Sequence, residues 1–154
     1  MKRVLFFSIV LVLAFAPACK DEVRPLSPPL TIKINITYQP PNITIDAPDP
    51  DPARIAKGDT IHWVVTVRPG TPPLDVTIDD FADRGGNRVD VFGDGSTYRI
   101  NGVGSSPTTR PSSKAAVVSD EEGFKYKITA VSASGDKKVL DPRIIVSAGL
   151  ATKP

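Results

Sequence analysis

Aspartates gather around two glycine-rich turns in the middle of the chain, and carboxylate oxygens are the ligands that calcium prefers. The candidates are Asp79, Asp80, Asp83, Asp90 and Asp94, which surround Gly85-Gly86 and Gly93-Asp94-Gly95. Neither turn has the alternating carboxylates of an EF-hand loop, and solvated turn aspartates are the simpler interpretation. The sequence therefore offers these five residues as weak calcium candidates.

Zinc and nucleophilic chemistry have few residues to use. His62 is the only histidine, which excludes a zinc site built on several histidines. The serines of residues 104–114 have no histidine partner for a catalytic triad, and we expect that segment to be a mobile polar loop. His62 lies beside Trp63 in an apolar run, which predicts a half-buried structural histidine. We expect no catalytic residues and no enzyme activity.

The amino terminus has the pattern of an export signal. Lys2 and Arg3 precede an uncharged, almost wholly apolar run over residues 4–16. That run suits a signal peptide and is shorter than the roughly 20 residues a membrane-spanning helix needs. Small residues stand at the third and first positions before Cys19, as a signal peptidase requires. We predict a signal peptide over residues 1–18.

Cys19 is the only cysteine, so it has no disulfide partner within an exported chain. Its place directly after the small residues Ala16 and Ala18 resembles the bacterial lipobox, in which this cysteine is acylated. The resemblance implies a lipoprotein held in a membrane by fatty acyl chains, palmitate among them. The protein would be located in the cell envelope, on the outer membrane or the periplasmic face if two membranes are present. The alternative is an ordinary secreted protein with a chance cysteine.

The charge balance changes once the leader is removed. The formal net charge of +2 comes from Lys2 and Arg3, because the remaining Lys and Arg residues equal the 17 Asp and Glu residues in number. We therefore expect no nucleic-acid partner. Residues 19–29 are charged and then proline-rich, which predicts a flexible lipid-anchored tether reaching about 30 Å from the bilayer.

The rest of the chain has the pattern of strands. Apolar residues from Leu30 to Tyr38 alternate with polar ones, which predicts a strand with one buried face. Further strands are predicted over residues 43–45, 60–67, 74–78, 88–92, 97–100, 115–118, 124–133 and 143–146. The 16 prolines and 11 glycines and the lack of a helical period favour an all-β fold. We predict one antiparallel or mixed β-sandwich over residues 30–147, followed by a tail over 148–154.

Three stretches resemble cupredoxins. The sequence ARIAKGDTIHWV over residues 53–64 looks like the early strand pair of that family. GFKYKI over 123–128 and DPRIIV over 141–146 look like its last two strands. The resemblance implies a cupredoxin-like sandwich, with an immunoglobulin-like sandwich as the alternative.

The sequence lacks the ligands of a cupredoxin copper site. Such a site needs two histidines, a cysteine and usually a methionine. The first histidine of the family falls near Leu74, and its cysteine falls at Ile128. The resemblance therefore implies a copper-free version, and we expect no cofactor.

Two functional hypotheses remain. The first is a non-catalytic binding or assembly module at the cell envelope, attached to the membrane by its lipid and holding a protein or glycan partner. Recognition would fall to the long segments 79–96 and 104–114, because sandwich strands use their residues in the core. The second is a calcium- or other metal-dependent envelope enzyme that uses the aspartate-rich loops over residues 79–94.

Overall fold

A computed structural model of the chain describes residues 28–148. The predicted signal peptide, Cys19, most of the predicted tether and the tail beyond Ala148 lie outside these residues. Within 28–148, no helix is long and apolar enough to cross a membrane.

The described residues form ten β-strands. They are β1 (Leu30–Gln39), β2 (Asn42–Ile45), β3 (Ala53–Ala56), β4 (Ile61–Val67), β5 (Leu74–Ala82), β6 (Tyr98–Val103), β7 (Thr108–Pro111), β8 (Phe124–Ser132), β9 (Lys137–Leu140) and β10 (Arg143–Ser147).

The strands form two mixed sheets. One has four strands in the order β2-β1-β4-β7, and the other has six, in the order β3-β10-β8-β5-β6 with β9 also paired to β8. The pairs β1–β4 and β3–β10 are parallel, whereas immunoglobulin domains consist of two antiparallel sheets. The prediction of an all-β sandwich is confirmed, and the parallel pairs favour its mixed, cupredoxin-like form.

The core lies between the sheets because each long strand alternates buried and exposed residues. In β1, Ile32, Ile34 and Ile36 are at most 1% exposed, while the residues between them face solvent. Full burial of such a side chain stabilises the fold by roughly 1.5–3 kcal/mol. Trp63 of β4 is fully buried, and neighbouring His62 is half-buried on the outer side. Both residues lie as the sequence predicts.

Two predicted strands are wrong. Residues 88–92 form a loop in which only Arg88 makes an isolated bridge, to Ala82. Its apolar residues Val91 and Phe92 are buried, so they close one end of the core instead of joining a sheet. Residues 115–118 also form a loop, where the Ala115 N–H donates to the Asp59 carbonyl at 2.8 Å. Short apolar runs that cap a core resemble strands in sequence.

The expectation of a mobile polar loop over residues 104–114 is also wrong in part. Strand β7 lies within it and pairs with β4, and Ser112 is buried, its hydroxyl accepting a hydrogen bond from the Ile61 N–H at 2.9 Å. The sequence does not indicate this strand because β7 is an edge strand whose residues are mostly exposed and polar. Strand β9 escapes prediction for the same reason.

Both ends of the described chain lie at one end of the sandwich. The Leu30 N–H donates to the Thr60 carbonyl at 3.0 Å, and the Lys57 N–H donates to the Ser147 carbonyl at 2.8 Å. Residues 83–96 reach the same end, because the Ala116 N–H donates to the Val91 carbonyl. Residues 104–107 lie at the opposite end, where β4 finishes. The two segments predicted for recognition therefore meet only where residues 112–114 reach Asp94, while residues 104–107 lie at the other end.

Candidate functional site

Two of the predicted calcium candidates organise the loop between β5 and β6 by hydrogen bonds. The Asp90 carboxylate accepts bonds from the Ser96 hydroxyl at 2.6 Å and from the Gly93 and Gly95 N–H groups at 2.9 and 3.0 Å. These bonds lower its pKa, the Ser96 hydroxyl most of all. The loop therefore uses this carboxylate as an internal anchor.

Asp94 connects that loop to its neighbours. Its carboxylate accepts bonds from the Tyr98 hydroxyl at 3.1 Å and the Ser96 N–H at 3.0 Å, and a longer one from the Ser113 N–H. Burial, followed by the charge of Asp94, raises the pKa of Tyr98. The Tyr98 phenol therefore stays protonated and donates to Asp94. The bonds to Asp94 together hold residues 90–98 against residues 112–114.

The other three candidates lie in separate surroundings. Asp80 has a φ of 56° at an irregularity in β5 and forms ion pairs with Lys127 and, at 3.6 Å, with Arg88. Asp83 accepts a bond from the Asn87 N–H at 2.8 Å, while Asp79 lies opposite Lys127 in the sheet. Within residues 28–148 no group of three or more His, Cys, Asp or Glu residues is placed to hold a metal ion. The structure does not gather the five aspartates into one site.

The positions inferred from the cupredoxin ligands also do not converge. Leu74 pairs with Ser132, and Ile128 pairs with Ile78, so the two positions are offset by four residues along neighbouring strands. This offset amounts to about 13 Å, too far for two ligands of one copper ion. Both side chains are buried in the core. The residue-by-residue transfer of the ligand positions is therefore not supported.

A row of basic side chains crosses the outer face of the six-stranded sheet. Lys125 of β8 lies directly opposite Arg143 of β10. On the other side of Lys125, Ala82 of β5 pairs with Lys125 and also forms a bridge with Arg88. Arg54 of β3 lies opposite Ile145, one strand beyond Arg143 and two residues further along β10. All four side chains are exposed. We call Arg54, Arg88, Lys125 and Arg143 the basic row.

Two of the acidic groups beside the basic row are engaged by other partners. Asp80 pairs with Lys127 and Arg88, and Glu122 pairs with Arg84 at 3.3 Å. Within residues 28–148, neither Lys125 nor Arg143 takes part in an ion pair. The row therefore has two cations at its centre without a counter-charge in contact.

A shallow cleft of about 510 Å³ opens beside the row. Small residues form part of its wall, since Gly86 and Ala82 leave space between the longer side chains of Arg88, Lys125 and Lys127. Asp80 and Asp141 also line it. The cleft lets an extended ligand lie against the sheet between these cations.

The outer face of the four-stranded sheet has a different character. Its outward positions on β1, β2 and β4 carry Lys33 but no Asp or Glu, and are otherwise neutral. They include Thr31, Asn35, Thr37, Thr44, His62, Val64 and Thr66. The sandwich thus presents one charged face and one nearly neutral face.

A partly buried polar latch connects the two sheets at the end opposite the termini. The Tyr38 hydroxyl, on β1, donates to the Asp136 carboxylate at 2.6 Å and lies 3.0 Å from the Ser134 hydroxyl. The Ser134 hydroxyl also donates to Asp136 at 2.8 Å. These bonds, that from Tyr38 first, lower the pKa of Asp136. The bonds from Tyr38 therefore join β1 of the four-stranded sheet to the turn between β8 and β9 of the other sheet.

Sequence reasoning missed both the basic row and the latch. The members of the row lie at positions 54, 88, 125 and 143, and only the strand pairing makes them neighbours. Alternation within GFKYKI is a signal that could place Lys125 and Lys127 on the outer face, but it does not say which strands lie on either side. For the latch, the only signal was the tyrosine that ends the alternating run of β1.

Among solved structures, the chain is similar to a multi-copper oxidase from Pediococcus acidilactici, with 12% sequence identity and a TM-score of 0.34. The match covers 88% of this chain and 30% of that protein, so the chain spans less than a third of its length. A likeness at this TM-score carries no argument about function. No protein-family model and no curated protein matches the chain.

Proposed function

We propose that this protein is an exported, lipid-anchored module that binds a partner at the cell envelope without catalysing a reaction. The observation that carries the proposal is the basic row, a set of exposed side chains whose backbone positions on the outer face of the six-stranded sheet are fixed by strand pairing. The row lies on paired strands or is bridged to them, so its spacing is fixed before a partner arrives. Preorganised groups bind at a lower entropic cost than mobile ones.

The polar groups of the loops have structural partners, which supports binding over catalysis. The Ser96 hydroxyl is shared by Asp90 and the Phe92 N–H, and Ser112 holds the start of β4. Ser119 accepts a bond from the Val146 N–H at 3.0 Å. Each of these hydroxyls already holds a loop or a strand end in place, so we infer a structural role for all three.

The proposed anchor is Cys19, and its sequence context supports it. Residues 16–19 resemble a lipobox, and residues 20–27 separate Cys19 from Pro28, where the described structure starts. A tether of this length would keep the sandwich within about 30 Å of the bilayer. The chain enters the sandwich at the end where residues 57–60 lie, so that end would be nearer the membrane.

Mass spectrometry of protein purified from membranes tests the anchor. We expect a mature amino terminus at Cys19 carrying acyl chains, and fractionation of the protein with membranes. A Cys19→Ala variant should lose both the acyl mass and the membrane association. An unmodified Cys19, or a retained leader in the wild-type protein, would contradict the lipid anchor.

A further inference from the structure

We propose that the basic row binds a linear anionic glycan, a chain of sugar or alditol units that carry phosphate or carboxylate groups at regular intervals. This inference rests on the proposed function, because it names the chemistry of the partner that the envelope module holds. The charge pattern of the row and its geometry support it.

The centre of the row is a pair of like charges. Lys125 and Arg143 are direct cross-strand neighbours, and like charges in such positions destabilise a sheet. Both side chains point to solvent, because their strand neighbours Phe124 and Ile144 are buried. A bound anion between them would replace this repulsion with two favourable contacts.

Four acids near this pair are engaged by other groups, while Asp141 lines the cleft and, within residues 28–148, forms no ion pair. Asp80 and Glu122 are engaged by other cations, and the Asp120 carboxylate accepts bonds from the Glu122 and Gly123 N–H groups at 3.1 and 3.0 Å. The Asp51 carboxylate accepts a bond from the backbone N–H of Arg143 at 3.3 Å, so this bond does not use the Arg143 guanidinium. The guanidinium of Arg143 and the ammonium of Lys125 are left for a ligand.

The shape of the row selects a linear partner. Neighbouring strands are about 4.8 Å apart, so Lys125 and Arg143 are one such spacing apart and Arg88 lies about two spacings from Lys125. A polymer lying across the strands, with its charges a few ångströms apart, meets these cations in turn. The cleft beside Ala82 and Gly86 gives it room against the sheet.

A membrane surface fits this face less well than a polymer does. The outer face of the same sheet also carries Asp75 and Asp79 on β5, and Asp141 lies beside the cleft. A flat anionic bilayer would bring its headgroups against these carboxylates as well as the cations. A single chain that follows the basic row avoids most of them.

Binding of the purified full-length protein to dextran sulfate, with neutral dextran as the uncharged control, tests the inference. We expect binding to dextran sulfate alone, weakening as salt is added because contacts between exposed charges are screened. The double variant Lys125→Glu/Arg143→Glu should bind at least about 10-fold more weakly, since each cation removed is replaced by a repulsive charge. Lys137→Glu/Lys138→Glu is the matched control, because it makes the same charge change on β9, far along the sheet from the row. It should lose less than about 3-fold.

Three results would overturn the inference: no binding to dextran sulfate, equal losses in the two double variants, or stronger binding to vesicles of phosphatidylglycerol than to the polymer. Thermal unfolding of each variant checks the fold. If the glutamate variant unfolds, Lys125→Gln/Arg143→Gln replaces it and should still weaken binding several-fold. The lipid anchor is measured by mass alone, so its failure and the failure of polymer binding remain distinguishable.

Discussion

The indole ring of Trp63 packs against the phenol ring of Tyr126 across the two sheets, with the ring centroids 5.3 Å apart. Tyr126 in turn stacks on Phe81 at 5.2 Å, and Trp63 also lies 6.1 Å from Tyr98. Trp63 is the member of this cluster that belongs to the four-stranded sheet; its partners belong to the six-stranded sheet. The cluster therefore fixes how the two sheets face each other.

Trp63→Ala should lower the free energy of unfolding by about 3–5 kcal/mol, because it removes a fully buried aromatic side chain and leaves a cavity. His62→Gln should cost less than about 1 kcal/mol, since that side chain is only half-buried on the outer face. Urea denaturation followed by circular dichroism measures both. Equal losses in the two variants would mean that Trp63 does not hold the core together.

Two tyrosines make a matched pair for hydrogen bonding. The Tyr38 hydroxyl bonds to Asp136, whereas the buried Tyr126 hydroxyl has no partner within residues 28–148. Tyr38→Phe should destabilise the protein by about 1–3 kcal/mol, because a carboxylate loses its donor. Tyr126→Phe should be neutral or stabilising, since it removes a buried polar atom that forms no bond. Thermal unfolding of the two variants side by side provides the comparison, and a reversed order would contradict these assignments.

Gly123 precedes β8 in a backbone conformation that side chains rarely adopt, with a φ of 76°. A Cβ atom there would clash with the Ile144 carbonyl oxygen, whereas at Gly135, with a φ of 91°, it would meet nothing within 4 Å. Gly135→Ala should cost about 1 kcal/mol through backbone strain alone. Gly123→Ala should cost more than that, because the backbone of β10 must also move. Similar unfolding midpoints for the two variants would rule out the close approach of the strands.

Acid should weaken the latch at Tyr38. The pKa of Asp136 is lowered in the folded protein by its bonds to Tyr38 and the serines, while in the unfolded chain it is near 3.9. The stabilisation from its charged form is therefore complete above about pH 4 and is lost as pH falls through the lower, folded-state pKa. The stability difference between the wild type and Asp136→Asn should shrink as pH falls below about 4. A difference that does not change with pH would show that the charge of Asp136 does not matter.

Alternation of residues determined much of the fold. The period of two in β1 and in residues 61–67 identified the strands and their buried faces, because successive side chains of a strand point to opposite sides. Trp63 in the core and His62 on the outer side follow from that rule. The signals of the leader and of Cys19 are equally local, since they depend on composition and order along the chain.

Only the tertiary structure decided which strands are neighbours. Residues 104–114 look like a loop by composition, yet β7 pairs with β4 there, because an edge strand on the surface needs few apolar residues. The aspartates of residues 79–94 are close in sequence but have different partners, since Asp90 accepts bonds within its own turn, Asp80 pairs with Lys127 of β8 and Asp94 reaches Ser113. Lys125 and Arg143 are far apart in sequence and directly opposite in the sheet. Packing of the whole core determines which strands pair, and no local sequence pattern predicts that pairing.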